Sequence, residues 1–277
     1  PATFKWDMAQ MLSEEAVKQG KQVHCHIKID TGMGRIGFKD NAESVEIVKK
    51  MLSECGFKDI RTIINEQATK QGMAQAFIDL AKNCKKGDVV YIHYSGHGQL
   101  MTDIDGDEAE RWTGKHAQWD ESWIPYDAYM YYGEKDRGEK HFSDDEIARY
   151  LNIIRDRIGS PGKLYVIVDA CHSGDATKGN DDECVRGVDI EFRIPKQITN
   201  VPYEPIQEKW LTISACKPYQ LCFEQKSPIA GKLTFAIFTI GKELFNMSNT
   251  QIQKALQKYM DEHPARLPQN PVVSGRK

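Results

Sequence analysis

Apolar residues recur along this chain with two periods, which separate the predicted strands from the predicted helices. Compact apolar runs at residues 89–94 and 164–168 are typical of parallel strands that are buried on both faces. Alternating or shorter patterns predict further strands at residues 23–30, 60–64 and 210–214. Spacings of three and four residues predict helices at residues 7–20, 42–55, 69–81, 143–158, 232–245 and 250–260.

Polar residues mark where some of these elements begin and where the loops lie. Thr69 is placed to cap one helix, and Ser143 with Glu146 is placed to form a capping box at the start of another. Residues 100–140 are polar and rich in Asp, Glu and Trp, so they predict a long loop. Residues 175–208 carry scattered Pro and Gly among polar residues, which predicts a flexible linker.

Strands that alternate with helices at this spacing predict an α/β fold. Its central sheet is mostly parallel and has helices on both faces. In such folds a functional site lies beyond the carboxyl ends of the strands. The residues that follow the two most apolar strands are therefore the first candidates for chemistry.

Composition fits a globular protein and excludes some functions. Of the 277 residues, 40% are hydrophobic and 28% charged, and the net charge of −3 argues against a general nucleic-acid binder. No apolar run approaches the ~20 residues that span a bilayer, and the N-terminus lacks the pattern of a signal peptide. The seven Cys residues include no C-x-x-C pair, which favours reduced thiols. We expect a cytoplasmic protein without a membrane partner, and the oligomeric state stays open.

Two glycine-flanked polar segments follow the two buried strands, at residues 94–98 (YSGHG) and 169–174 (DACHSG). Carboxyl ends of parallel strands meet at one edge of a sheet, so His97 and Cys171 are predicted to lie side by side. A thiol is a weak nucleophile until it loses its proton, and a neighbouring imidazole can accept that proton. We predict a catalytic pair; the alternative is a buried cysteine and an unrelated strand-end histidine.

Backbone N–H groups beside this pair are candidates for binding a developing oxyanion. The glycines let a substrate backbone approach closely, and the N–H groups of Gly98 and Cys171 are the natural donors. His172 directly follows the nucleophile, but adjacent side chains at a strand-to-loop turn usually point apart. We therefore predict a structural role for His172.

The two segments resemble the catalytic signatures of the caspase/metacaspase clan of cysteine peptidases, peptidase family C14. The Asp two residues before Cys171 resembles metacaspases rather than animal caspases. The resemblance implies a caspase-like three-layer α/β sandwich, peptide cleavage through a thioester and no required cofactor. Further similar segments lie at residues 65–69, 103–108, 123–128 and 214–217. The resemblance covers about residues 40–277, divided into a large-subunit-like part (40–175), a linker (175–208) and a small-subunit-like part (209–277).

The same resemblance implies a substrate preference. Asp169 and Ser95 match positions that line the S1 pocket in metacaspases, and a carboxylate there favours Arg or Lys in a peptide or protein substrate. The alternative for Asp169 is a turn residue that caps the nucleophile loop. An enzyme of this specificity has its own sites in the predicted linker, after Lys178, Arg186, Arg193 or Lys196.

An acidic segment offers oxygen ligands for Ca²⁺. Several metacaspases depend on calcium, and this segment lacks the twelve-residue EF-hand pattern. A solvated acidic loop is the alternative interpretation. The candidate ligands are Asp103, Asp105, Asp107 and Glu108.

Residues 1–39 resemble another family. Residues 23–38 are similar to a signature of alanine racemases, in which the residues matching Lys28 and Arg35 support the PLP cofactor. One strand cannot hold PLP without the remainder of its barrel, so we expect no functional PLP. A junction of two sequences is predicted near residues 39–42.

Residues 23–30 are predicted to substitute for the clan's missing first strand. Asp30 then either reinforces the S1 pocket or makes only a local turn. The leading hypothesis is a cysteine endopeptidase. A catalytically weak caspase-like interaction module and a racemase fragment are the alternatives.

Overall fold

The computed structural model describes residues 23–29, 57–108, 118–172, 185–188, 190–195, 208–218, 220–226 and 229–276. The predicted helices at 7–20 and 42–55, and the residues Asp30, Arg35, Lys178 and Lys196, lie outside the described residues.

The described strands and helices follow one another in this order. The strands are β1 (Val23–Ile29), β2 (Phe57–Ile64), β3 (Val89–Ser95), β4 (Gly98–Thr102), β5 (Trp119–Trp123), β6 (Phe142–Ser143), β7 (Lys163–Asp169), β8 (Leu211–Ser214), β9 (Glu224–Lys226), β10 (Ile229–Gly231) and β11 (Val272–Gly275). The helices are α1 (Lys70–Asn83), α2 (Asp144–Ile158), α3 (Lys232–Ile240) and α4 (Asn249–Glu262).

Six strands form the central sheet, in the order β11-β8-β7-β3-β1-β2. All neighbouring pairs are parallel except β11 with β8, which is antiparallel. The mostly parallel sheet is thus as predicted. Strand β1, which belongs to the racemase-like segment, lies between β2 and β3 and pairs with both.

Alternate residues of the central strands face two separate cores. On β3, Ile92 and Tyr94 pack with residues of α1 and α2, whereas Tyr91 packs with residues of α3 and α4. On β7, Val166 packs in the core with α1 and α2, and Ile167 packs in the core with α3 and α4. The period of two along each strand therefore buries both faces under helices, at about 1.5–3 kcal/mol for each large apolar side chain.

The predicted cap at Thr69 is present, and of the predicted capping box the bond to the Ser143 side chain is present. The Oγ1 atom of Thr69 accepts a hydrogen bond from the N–H of Gly72 at 3.0 Å. The Oγ atom of Ser143 accepts one from the N–H of Glu146 at 3.3 Å. Each cap satisfies a backbone donor that has no partner within its own helix.

The prediction of a long loop at residues 100–140 is wrong over two stretches. Strands β4 and β5 pair in antiparallel fashion, and β6 extends them into a small second sheet. Strand β5 buries polar residues, Asp120 and Ser122, where an apolar alternation is normally seen. The hydroxyl of Ser122 donates to the backbone oxygen of Gln99 at 2.7 Å, so its burial carries little cost.

The prediction of a flexible linker at residues 175–208 is wrong for the two stretches around Arg186 and Phe192. Both side chains are fully buried. The N–H of Phe192 donates to the backbone oxygen of Leu100 at 2.8 Å, and Phe192 in turn accepts from the N–H of Thr102 at 3.0 Å. Hydrogen bonds to β4 therefore fix this part of the chain against the body of the protein.

The remaining strand and helix ends differ from the predictions by a few residues. The helix predicted at 232–245 leaves α-geometry after Ile240, because Gly241 adopts a positive φ of 64° and a 3₁₀ turn, Gly241–Phe245, follows.

Within the described part of the chain, no helix has the length and apolarity that crossing a membrane requires.

Candidate active site

The predicted site residues lie at the carboxyl ends of two neighbouring strands. Ser95 ends β3 and Asp169 ends β7, and the two are direct partners in the register of this parallel pair. His97 and Cys171 each follow two positions later. His97 is 6% exposed and Cys171 is 1% exposed, so both side chains are buried where they follow these strands.

The backbone at His97 is fixed by Tyr94. The Tyr94 hydroxyl donates to the backbone oxygen of His97, and the N–H of Ile124 donates to the same oxygen at 3.1 Å. The Tyr94 ring stacks on Trp123 with ring centroids 4.3 Å apart. A buried aromatic stack therefore holds the loop that carries the predicted base.

The Cys171 thiol lies in a surrounding that favours its neutral form. A hydrogen bond with the Cys222 side chain and then burial raise the pKa of Cys171 well above its usual range. Cys171 is a free thiol, as are Cys84, Cys216 and Cys222. Since the resting group is a thiol, nucleophilic attack requires a base that removes its proton.

Gly98, at the start of β4, lies close to the loop that follows β7. A Cβ atom at Gly98 would stand 2.6 Å from the backbone oxygen of Cys171 and would collide with the ring of His172. The Nδ1 atom of His172 lies 3.1 Å from Glu121 Oε2 on β5. The imidazole of His172 thus contacts Glu121 on β5. Position 98 must be glycine, because any side chain there would prevent this close approach.

Asp169 is held at the start of helix α3. Its Oδ2 atom accepts hydrogen bonds from the N–H of Thr234 at 2.8 Å and from the Thr234 hydroxyl. A Cβ atom at Gly231 would collide with the same oxygen. These contacts fix the position of the buried Asp169 side chain at the N-terminal end of the helix.

A neutral histidine, His93, forms a hydrogen bond with the Thr234 hydroxyl. The Nε2 atom of His93 lies 2.9 Å from Thr234 Oγ1, and its Nδ1 atom lies 3.2 Å from the Tyr91 hydroxyl. Burial lowers the pKa of His93 to about 4. Because the Thr234 hydroxyl donates its own proton to Asp169, the neutral His93 donates from Nε2 and accepts at Nδ1.

A buried arginine, Arg186, contacts both Ser95 and Asp169. The Arg186 guanidinium donates to Ser95 Oγ, and its Nε atom donates to the backbone oxygen of Asp169 at 3.0 Å. Arg186 Nε also lies 3.7 Å from Asp169 Oδ1, and Nη1 donates to Glu224 Oε1 at 3.0 Å. Burial lowers the pKa of Arg186, but Asp169 and Glu224 together raise it by more, so the guanidinium is charged.

The sequence identified Asp169 and Ser95 but did not indicate Glu224 or Thr234. Glu224 begins the short strand β9, and Thr234 lies in the first turn of α3. Neither residue follows an apolar strand, and neither lies in a glycine-flanked segment such as those that contain His97 and Cys171. Their relation to Asp169 depends on how the chain after residue 220 folds back over the sheet edge.

The acidic segment gathers with further carboxylates that the sequence did not indicate. Asp103, Asp107 and Asp120 offer oxygen atoms within 4.8 Å of one another, and Asp105, Asp107 and Asp145 do the same. Glu108 is in neither group among the described residues.

Asp107 and Asp120 are the buried members of this acidic cluster. Asp120 is 1% exposed, and within the described part of the chain neither of its carboxylate oxygens has a hydrogen-bond partner. Burial, and then the neighbouring Asp144 and Asp103, raise the pKa of Asp120 to about 10. A buried carboxylate among other acids is a fitting ligand for a hard cation such as Ca²⁺.

These features define an α/β protein with a thiol and an imidazole beyond one edge of its sheet and an acidic pocket beside them. Solved structures share this architecture over most of their length. Protein GSU0716 from Geobacter sulfurreducens has a TM-score of 0.59 at 19% identity, covering 92% of this chain and 94% of that one. Caspase-1 from Spodoptera frugiperda has a TM-score of 0.54 at 10% identity, covering 92% and 88%. The predicted caspase-like fold is confirmed.

The family follows from the sequence comparison. The model of the metacaspase, peptidase C14 domain matches residues 35–179, slightly more than half of the chain. Metacaspase-1B of Neurospora crassa is 34% identical over 110 residues, and metacaspase-1 of Botryotinia fuckeliana is 36% identical over 111 residues. Each alignment covers 40% of this chain and 22% of the relative. The chain belongs to the metacaspase family, and it matches about a fifth of the length of these curated relatives.

Proposed function

We propose that this protein is a cysteine endopeptidase that cleaves peptide bonds after Arg or Lys. The observation that carries the proposal is the pocket formed by Asp169 and Ser95, which already holds a charged guanidinium beside Cys171. A buried carboxylate that is anchored by a helix N-terminus selects a basic side chain through charge and hydrogen bonds together.

In the proposed reaction Cys171 is the nucleophile and His97 is the base. His97 accepts the thiol proton as sulfur attacks the carbonyl carbon that follows the basic residue. The N–H groups of Gly98 and Cys171 bind the oxygen on which negative charge develops. His97 then gives the proton to the leaving amine, and water hydrolyses the thioester to release the carboxylate and restore the thiol.

The first test of this function is substrate preference. Fluorogenic peptides that end in Arg or Lys are expected to be cleaved with a kcat/KM at least about 100-fold above that of a matched peptide ending in Asp, because an acidic side chain would meet the buried carboxylate of Asp169. Initial rates over a range of substrate concentrations give the comparison. Faster cleavage of the Asp peptide would show that Asp169 does not set the preference.

We further propose that Ca²⁺ binds to the acidic cluster around Asp120. Binding a divalent cation there offsets the burial of Asp120 and its repulsion from the neighbouring carboxylates. Asp103 and Asp107 offer oxygen atoms within 4.8 Å of those of Asp120. The cation would stabilise this part of the fold, and no step of the proposed reaction passes through it.

Thermal unfolding tests the calcium site without measuring activity. At a free Ca²⁺ concentration about 100 times its Kd, binding is expected to add about 2.7 kcal/mol and to raise the Tm by about 5 °C. Asp120→Asn is expected to change the Tm in EDTA little at neutral pH, because the raised pKa keeps Asp120 uncharged there, and to abolish the Ca²⁺ effect. Asp156→Asn, at an exposed position of α2, is the matched control. An equal Ca²⁺ response in both variants would exclude Asp120 as a ligand.

A further inference from the structure

Three thiol side chains form a connected cluster beyond the carboxyl ends of β7 and β8. Cys171 follows β7, whereas Cys216 and Cys222 lie in the segment between β8 and β9. Hydrogen bonds join the Cys222 side chain to both of the other thiols. Cys222 and Cys171 are buried, and Cys216 is only partly buried. The proposed peptide hydrolysis uses one of these thiols, Cys171, and gives the other two no role.

The protons of the three thiols are ordered by the group at the end of the cluster. The Cys216 thiol donates to the backbone oxygen of Gln220 at 3.2 Å. Because each thiol has one proton, Cys222 donates to Cys216, and Cys171 donates to Cys222. This order agrees with the raised pKa of Cys171, since a hydrogen bond that a thiol donates stabilises its protonated form. The Cys171 proton therefore lies between its own sulfur and that of Cys222.

The backbones that carry Cys171 and Cys222 are fixed by the same residue, Arg186. The N–H of Cys171 donates to the backbone oxygen of Arg186 at 3.0 Å, and the N–H of Arg186 donates to the backbone oxygen of Cys222 at 3.1 Å. Both cysteine side chains also pack in the core that contains residues of α3 and α4. The two sulfurs are thus held in contact, so a small displacement brings them to the bonding distance of a disulfide.

The thiol cluster is open to a cavity on one side. Cys171 and Cys216 both line this cavity, which has a volume of about 600 Å³, together with His172 and Ser214. Hydrogen peroxide is a small molecule, so the cavity gives it a path to the Cys171 sulfur. Cys84, which directly follows α1, packs instead in the separate core with α1 and α2.

We propose that Cys222 is a resolving thiol, which forms a reversible disulfide with Cys171 when hydrogen peroxide oxidises Cys171. The disulfide rests on the geometry of the thiol cluster, and its effect on turnover rests on the proposed peptidase function. A Cys171 sulfur that is bonded to Cys222 cannot attack a substrate, so the oxidised enzyme is inactive until a reductant restores both thiols. The disulfide also prevents irreversible oxidation of Cys171 to sulfinic or sulfonic acid.

The oxidation balances with one hydrogen peroxide and two thiols. The Cys171 sulfur, after loss of its proton, attacks one peroxide oxygen, and the other oxygen leaves as hydroxide and takes up that proton to form water. The product is a sulfenic acid at Cys171. The Cys222 sulfur then attacks the Cys171 sulfur as the S–O bond breaks, and the leaving hydroxide combines with the Cys222 proton to form a second water. Two electrons pass from the pair of thiols to the peroxide.

Cys216 provides a matched control within the same cluster. Its sulfur bonds to Cys222 and to the backbone oxygen of Gln220. A link between Cys171 and Cys216 would require Cys222 to leave its place between them. Serine at position 216 keeps a donor and an acceptor, so Cys216→Ser should leave the Cys171–Cys222 pair intact.

Peptide mapping under non-reducing conditions tests the site without measuring activity. The wild-type chain is incubated with millimolar hydrogen peroxide, treated with catalase and alkylated in denaturant before digestion. We expect a linked pair of peptides that contain Cys171 and Cys222 and that separate in dithiothreitol. Cys216→Ser and Cys84→Ser should give the same link. A link from Cys171 to another cysteine, a link between Cys216 and Cys222, or the absence of any link would overturn the proposal.

Cys222→Ser removes the resolving thiol and keeps a hydroxyl that can accept from Cys171. In this variant hydrogen peroxide is expected to oxidise Cys171 to sulfinic and sulfonic acid, which mass spectrometry detects as added oxygen atoms. Because position 222 is buried, Cys222→Ala is the second variant, and circular dichroism shows whether each one folds. If dithiothreitol restores the Cys171 thiol of a folded variant as fully as that of the wild type, Cys222 is not a resolving thiol.

A fluorogenic Arg peptide separates this proposal from the proposed function. Peroxide-treated wild type is expected to regain its activity in dithiothreitol, with a recovered fraction at least about 5-fold that of Cys222→Ser, each relative to its own untreated rate. If the untreated wild type does not cleave the peptide, the peptidase function fails, and the linked peptides still decide the disulfide. If the peptide is cleaved but Cys171 and Cys222 are not linked by peroxide, the disulfide is wrong and the peptidase stands.

Discussion

Replacing Cys171 with alanine is expected to lower peptidase activity by at least about 10³-fold while the chain stays folded, because the sulfur atom is the group that forms the covalent intermediate. His97→Ala is expected to be comparably severe, since the nucleophile and its base act as a unit. Alanine fits the buried position of Cys171 without strain, so the Tm should change little. The measurement is the initial rate on an Arg peptide, with circular dichroism as the check on folding.

His172→Ala is the matched control for the histidine substitution. It removes an imidazole that is adjacent to Cys171 in sequence but is engaged with Glu121 at 3.1 Å. We expect a reduction of less than about 10-fold, mostly through lost packing against Gly98. If Cys171→Ala keeps more than a few percent of the activity, or if His172→Ala is the more damaging histidine variant, the assigned roles are wrong.

Asp169→Asn is expected to lower kcat/KM for Arg peptides by about 100-fold or more. The asparagine side chain keeps the size and can still accept the hydrogen bonds of Thr234. It removes the negative charge that faces the guanidinium at the base of the pocket, where water cannot compensate for the loss. The effect should appear mainly as a lost discrimination between Arg and uncharged residues at the same substrate position.

The control for Asp169 is a second buried aspartate that lies away from the site. Asp136 is fully buried, and its Oδ2 atom lies 3.2 Å from His141 Nδ1. Asp136→Asn should lower the Tm, but it should leave the ratio of Arg to Lys and Asp cleavage unchanged. An equal loss of Arg preference in both variants would mean that Asp169 acts through stability and not through contact with the substrate.

The sequence predicts the parts of the fold in which local pattern and tertiary burial agree. Strands β3 and β7 consist of compact apolar runs between polar residues, and their ends carry the glycines that flank His97 and Cys171. The cap at Thr69 is equally local, since its partner is three residues away. For these elements the chain itself contains most of the determining information.

Other parts depend on contacts between residues that are far apart in sequence. Strand β5 buries Asp120 and Ser122 as its inward-facing residues, so its pattern is that of an exposed loop until the partners of those residues are known. Arg186 has the composition of a linker residue, and only the meeting of Ser95, Asp169 and Glu224 explains its burial. The one local hint was the glycine that follows Arg186, which the close approach of Cys171 requires.

The occupied pocket at Asp169 has a consequence for the proposed peptidase. The Arg186 guanidinium already contacts Ser95, Asp169 and Glu224, so the basic side chain of an external substrate has to displace it in order to bind. Under the proposed function, turnover of other proteins is then governed by how often Arg186 leaves the pocket.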